Sequence, residues 1–179
     1  MPITTSEVMQ LDAIGKASEL TLYVLLTAAV VSDLRFGKVS NRLILSGCFL
    51  SILFRGIQGG ASQIVWALPN MFFPVIILFL FFLCGALGAG DIKLFSVIGG
   101  FFTFQRLVAA MVCSFFLGAV WSLLLLLRRK SLSRDLLQVF SYAKDLLDGR
   151  QEAYPAKKEN RICFTPFILA GAVLSAFLF

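Results

Sequence analysis

The sequence predicts an all-α polytopic membrane protein: a bundle of about six transmembrane helices plus an amphipathic helix at the cytoplasmic surface. Three observations predict this. The 179 residues are 59% hydrophobic and only 15% charged, whereas a soluble domain is nearer half apolar and a quarter charged. Mean hydropathy is +0.89. The apolar residues are gathered into six runs, each bounded by polar or glycine-containing stretches.

The runs cover residues 17–32, 43–57, 64–87, 92–104, 107–127 and 162–179. A span needs roughly 20 residues, so the third, fifth and sixth are long enough outright. The first and second need flanking polar residues to complete them, and Pro69 and Pro74 interrupt the third. The fourth is only on the order of 20 Å long at helical rise. Neighbouring helices or a thinned bilayer must shield it. Residues 1–16 form a polar segment ahead of the first run, and residues 17–179 form one membrane domain. Glu7, Asp12 and Glu19 stand against a single Lys16 before that run. A cleavable signal needs a basic region there, so the first run is expected to be retained as a span.

Six spans put both termini on one side. With the N-terminus outside, 13 of the 16 Lys and Arg residues fall on the cytoplasmic side, leaving Lys16, Arg55 and Arg106 outside. Basic residues concentrate on the cytoplasmic side of membrane proteins, so both termini are expected to be extracytoplasmic. Residues 131–161 then form the long cytoplasmic loop. Leu132, Leu136, Val139, Phe140, Ala143, Leu146 and Leu147 lie on one helical stripe there, the pattern of a helix lying on the inner leaflet. The net charge of +6 reports this orientation; nucleic-acid binding is not read from it.

Composition removes several chemistries. The chain has no histidine, which excludes Ser-His and Cys-His catalysis and histidine-ligated zinc. Cys48, Cys84, Cys113 and Cys163 form no Cys-x-x-Cys pair and sit in or beside apolar runs. They read as small buried hydrophobes, with neither a metal site nor a disulfide framework implied. No cofactor is called for.

Two carboxylates stand out. Asp33 closes the first run, and Asp91 lies in Gly88-Ala89-Gly90-Asp91-Ile92-Lys93 between the third and fourth. A carboxylate at a membrane edge is costly and by default functional. On the orientation above both lie at the cytoplasmic face. Two nearby carboxylates raise the pKa of one of the pair. One can then take a proton from water while the other donates to a carbonyl oxygen, and either can be the base. Gly88 and Gly90 leave room for a second backbone. Lys93 can steady the dyad or a substrate carbonyl, or anchor the inner face. Asn41 is expected to cap the second span or to hold a substrate backbone. Pro166 opens the last span, a position proline favours structurally, and can also line the site.

These residues resemble a known family. Gly88 to Leu94 is similar to the signature of the type IV prepilin peptidases, bacterial membrane aspartic proteases of the GxGD class. Asp33 followed by Val39-Ser40-Asn41 resembles the family's first aspartate and its Ile-Pro-Asn element, with Val and Ser replacing Ile and Pro. Thr165-Pro166-Phe167 resembles the Gly-Pro-Phe element of its final core span. The resemblance spans residues 20–179. It implies a helical bundle in the bacterial inner membrane with both aspartates catalytic. It also implies cleavage of the short basic leader of prepilin-like substrates at the cytoplasmic face. Larger members carry a methyltransferase part with Cys-x-x-Cys ligands. The sequence resembles the short peptidase-only members, including those of tight-adherence pili, and N-methylation is not expected. Four alternatives stay open: a preflagellin peptidase, a Ser-Lys peptidase using Lys93 and Ser96, a small transporter, and a non-enzymatic secretion-system subunit.

Overall fold

The computed structural model describes residues 5–84, 86–128 and 163–178, which contain five α-helices and no strand. They are α1 (Thr5–Phe36), α2 (Asn41–Leu83), α3 (Ala89–Phe101), α4 (Phe104–Arg128) and α5 (Thr165–Leu178). The expected surface helix within residues 131–161 lies outside the described residues. The chain divides into two units, residues 1–115 with 163–179, and residues 116–162. The candidate site lies entirely in the first unit.

Three helices are long and apolar enough to cross a bilayer by length and composition: Met9–Phe36, Asn41–Leu83 and Phe104–Leu125. The remaining two, α3 and α5, are 13 and 14 residues long. Leu20, Val24, Phe72, Ile76, Leu80 and Val112 all point outward. Apolar surface of that extent is a lipid-facing feature, since water-exposed patches are normally small. Helix α1 runs unbroken from Thr5, so the polar leading segment is helical from that residue on and continuous with the first apolar run.

As a straight rod α2 would measure about 65 Å, twice the hydrocarbon core of a bilayer. It is in fact two limbs. Gly59 (φ −158°, ψ 21°) and Gly60 (φ 65°, ψ −155°) leave helical geometry. Gly60 takes the left-handed region that side chains resist. Ser51 and Met71 both border Gly100, yet would be about 30 Å apart on an unbroken helix. The chain therefore folds back at the glycine pair, where the sequence separates the second and third apolar runs. Pro69 and Pro74 do not interrupt the second limb. Each costs one backbone hydrogen bond, and a helix supported by neighbours tolerates that loss.

The short α3 is the interior element. Ile92, Leu94, Phe95, Val97, Ile98, Gly99 and Gly100 are buried, so apolar residues face inward all round. It packs on both limbs of α2 and on α1 and α5. This accounts for its length, because a helix sheathed by others need not match the bilayer. Leu22 and Leu26 of α1, Leu107 and Ala110 of α4, and Ile168 and Ala172 of α5 complete the core.

The C-terminal end of α3 is held by two arginines. Arg55 donates to the carbonyls of Gly100, Phe101 and Phe102, and Asn70 adds a bond to Phe102. Arg106 pairs with Glu19 and stacks on the Phe102 ring 4.1 Å from its centroid. Arg55 and Arg106, two of the three basic residues the charge count leaves outside, thus have structural work at the end opposite Asp91.

Candidate active site

Asp33 lies in the last turn of α1. The helix ends just beyond it because Gly37 adopts a left-handed conformation (φ 63°) and donates its N–H to the Asp33 carbonyl at 2.8 Å. That is the usual glycine stop for a helix. Asp91 is the third residue of α3, whose N-cap is Gly88. Its backbone N–H donates to the Gly88 carbonyl at 3.1 Å, and its carboxylate accepts a bond from the Gly88 backbone. This is the return half of a capping box. The first turn of α3 therefore fixes the Asp91 rotamer.

The two carboxylates are brought together at one end of the bundle, near enough for the charge of Asp33 to act on Asp91. Both are half-buried. Asp91 stands ahead of the apolar run that begins at Ile92 and outside the three long apolar helices. Burial pushes its carboxyl up to about 6. The Gly88 bond opposes the rise and the Asp33 charge adds to it. A carboxyl so placed carries a proton more readily than an ordinary aspartate.

Two groups not anticipated as site residues reach Asp33. Thr165 is buried, and its hydroxyl donates to Asp33 Oδ2 at 2.7 Å. Cys163, in the segment leading into α5, hydrogen-bonds Asp33 through its thiol. Burial, then the charge and hydrogen bond of Asp33, then the charge of Asp91 hold that thiol above its usual pKa, so it stays a donor. Cys163 is therefore more than a small hydrophobe. The sequence signal was the Thr-Pro-Phe string, read through Pro166. Pro166 sits in the first turn of α5, where its fixed φ suits the helix start. The neighbouring threonine makes the contact.

The other candidates make contacts of their own. Lys93 Nζ donates to Asn41 Oδ1 at 3.0 Å, and both side chains are exposed. Asn41 does not cap α2. The N-cap is Ser40, without a side-chain cap bond, and the Asn41 amide is engaged by Lys93. Ser96 Oγ donates to the Ile92 carbonyl. Lys93 and Ser96 are thus bonded to different partners, and no Ser-Lys pair is formed. A Cβ on Gly88 would lie 3.1 Å from Asp91 Oδ2, whereas one on Gly90 would meet Val39 in ordinary contact at 3.7 Å. The dyad therefore has a steric interest in Gly88, and the fold has none in Gly90. A groove of about 410 Å³ is lined by Asn41, Lys93 and Ser96 with apolar neighbours. Another of about 560 Å³ runs along α1 from Tyr23 to Phe36. Neither includes the aspartates. No group of three metal-binding side chains occurs among the described residues.

Chemically, the arrangement offers two carboxyls in unequal settings, one acting on the other through its charge. No curated protein and no solved structure matches the chain. A family model described as the type IV leader peptidase family matches residues 20–123, a stretch that contains both Asp33 and Asp91. That match covers more than half of the 179 residues, and the chain belongs to the type IV leader peptidase family.

Proposed function

We propose that this chain is a membrane aspartic endopeptidase that removes the short basic leader of prepilin-like precursors at the cytoplasmic face of the bacterial inner membrane. The observation that carries the reading is the meeting of Asp33 and Asp91 at one end of the bundle, one carboxyl poised to hold a proton. Family membership supports the reaction class. The distribution of basic residues supports the cytoplasmic face. The two limbs of α2, with α1, α3, α4 and α5, supply six membrane segments on this reading.

The reaction needs one proton on the dyad. The ionised aspartate takes a proton from water as the water oxygen bonds the scissile carbonyl carbon. The carbonyl π pair moves to oxygen, which takes the proton of the second aspartate. The resulting diol then collapses. Its hydroxyl returns a proton to the second aspartate, the C–N bond breaks, and the first aspartate protonates the leaving amine. Atoms and charge balance, and the dyad is restored. Gly90, half-buried and not required by packing, admits the substrate backbone. Lys93 and Asn41 border the site and shape its α2 side.

The test is cleavage of a co-expressed prepilin-like protein, read as a gel shift. The native chain is compared with Asp33→Asn and Asp91→Asn, which keep size and remove proton transfer. The native chain should cleave, and each variant should insert normally and lose cleavage by about 10²–10⁴-fold. Variants that cleave like the native chain would remove the dyad from the mechanism.

A further inference from the structure

The two carboxyls are not served alike. Asp33 receives a hydroxyl bond from Thr165 at 2.7 Å and a thiol bond from Cys163. Asp91 receives a bond from the Gly88 backbone and is otherwise set into its surroundings by burial. An ionised carboxylate is acceptor-only. Hydrogen bonds donated to the charged form are shorter and stronger than neutral ones, and they favour that form. Thr165 is well fitted for this task. It is 1% exposed, so water does not compete for its hydroxyl. It opens α5 beside Pro166, whose ring holds the helix start. It also reaches across 132 residues of sequence to an oxygen of the dyad itself.

We propose that Thr165 is a positioning residue that fixes the orientation of the Asp33 carboxyl as the base of the dyad, with Asp91 as its partner acid. The inference rests on the leader-peptidase reading and deepens it by assigning the two roles. Asp33 takes the proton from water, and Asp91 protonates the carbonyl oxygen. Among the described residues, the charge of Asp33 acts on Asp91, and the charges of both act on the Cys163 thiol. Lys93 is turned to Asn41.

The experiment follows cleavage of a prepilin-like substrate by the full-length protein in lipid vesicles across pH. Native protein, Thr165→Val and Thr165→Ser are compared. Valine keeps nearly the volume of threonine and removes the donor; serine keeps the donor. Thr165→Val should lower kcat by about tenfold, the size of change one hydrogen bond to a charged group makes. KM should stay in place, and Thr165→Ser should restore the native kcat. If valine does not insert, Thr165→Ala against Thr165→Ser makes the same comparison. An unchanged kcat in Thr165→Val would overturn the proposal. So would a loss carried by KM alone, or equal loss of kcat in both valine and serine variants, which marks a structural residue. A native chain that cleaves at no pH would instead overturn the leader-peptidase reading, and this inference with it.

Discussion

Arg55 Nη2 donates a 2.8 Å hydrogen bond to the carbonyl oxygen of Phe102, the residue that ends α3. With its bonds to Gly100 and Phe101, one guanidinium satisfies three carbonyls that the helix cannot satisfy itself. Its charge also lies at the negative end of the α3 dipole. The helix that carries Asp91 at its start is thereby anchored at its finish.

Arg55→Met should therefore destabilise the protein by about 2–3 kcal/mol, since bonds to a charged group are lost and carbonyls are left unpaired. Arg55→Lys should recover part of that, because an ammonium cannot reproduce the fork. Unfolding in a detergent titration measures both. Equal stability of native protein and Arg55→Met would refute the anchoring role.

Asp91 gives a pH dependence of known sign. Burial raises its carboxyl from an ordinary 3.8 to about 6, so folding favours the protonated form. The resulting stability is fully present below 3.8 and is lost as pH rises through about 6. Asp91→Asn should then be more stable than the native chain at neutral pH, with the advantage shrinking as pH falls below about 6. The same variant should be inactive. Thermal unfolding at several pH values, read beside cleavage, separates this from a variant that merely misfolds.

Cleavage by the substrate-free-poised enzyme should decline as pH rises through the Asp91 value of about 6, because the proton donor is lost. Substrate docking removes more water from the carboxyl, so the alkaline limb of kcat should lie at higher pH than that of kcat/KM. A rate independent of pH over that range would remove Asp91 as the donor.

Lys93 and Asn41 should matter less than the aspartates. Their bond is exposed, and its loss should cost about 0.5–1.5 kcal/mol of stability. Lys93→Met and Asn41→Ala should each reduce cleavage by less than tenfold, and the double variant should cost little more than either. A thousandfold loss on Lys93→Met would place its ammonium on the reacting carbonyl.

Two glycines should behave oppositely. A Cβ on Gly99 would overlap the backbone carbonyl of Asn70, where the second limb of α2 crosses α3. Gly99→Ala should cost about 1–3 kcal/mol, the usual range for overpacking. Gly90→Ala meets Val39 at an ordinary 3.7 Å. It should leave stability unchanged and lower cleavage by crowding the incoming backbone. Loss of stability in Gly90→Ala would return that glycine to the fold.

The sequence by itself determined the helical, lipid-facing character of this protein and the apolar runs. It also singled out the two aspartates as candidates, because hydropathy and the cost of a membrane-edge charge are written in residue order. It marked the boundary that became the Gly59–Gly60 turn, though the prolines drew attention that the turn deserved. Only the tertiary structure decided that α3 is the sheathed helix, that Asn41 holds Lys93 instead of capping α2, and that Thr165 and Cys163 are what touch Asp33. The reason is physical. Hydropathy acts along the chain and survives reading one segment at a time. A hydrogen bond between side chains 132 residues apart exists only after α1, α3 and α5 have packed, and no periodicity or composition encodes which hydroxyl will face which carboxylate.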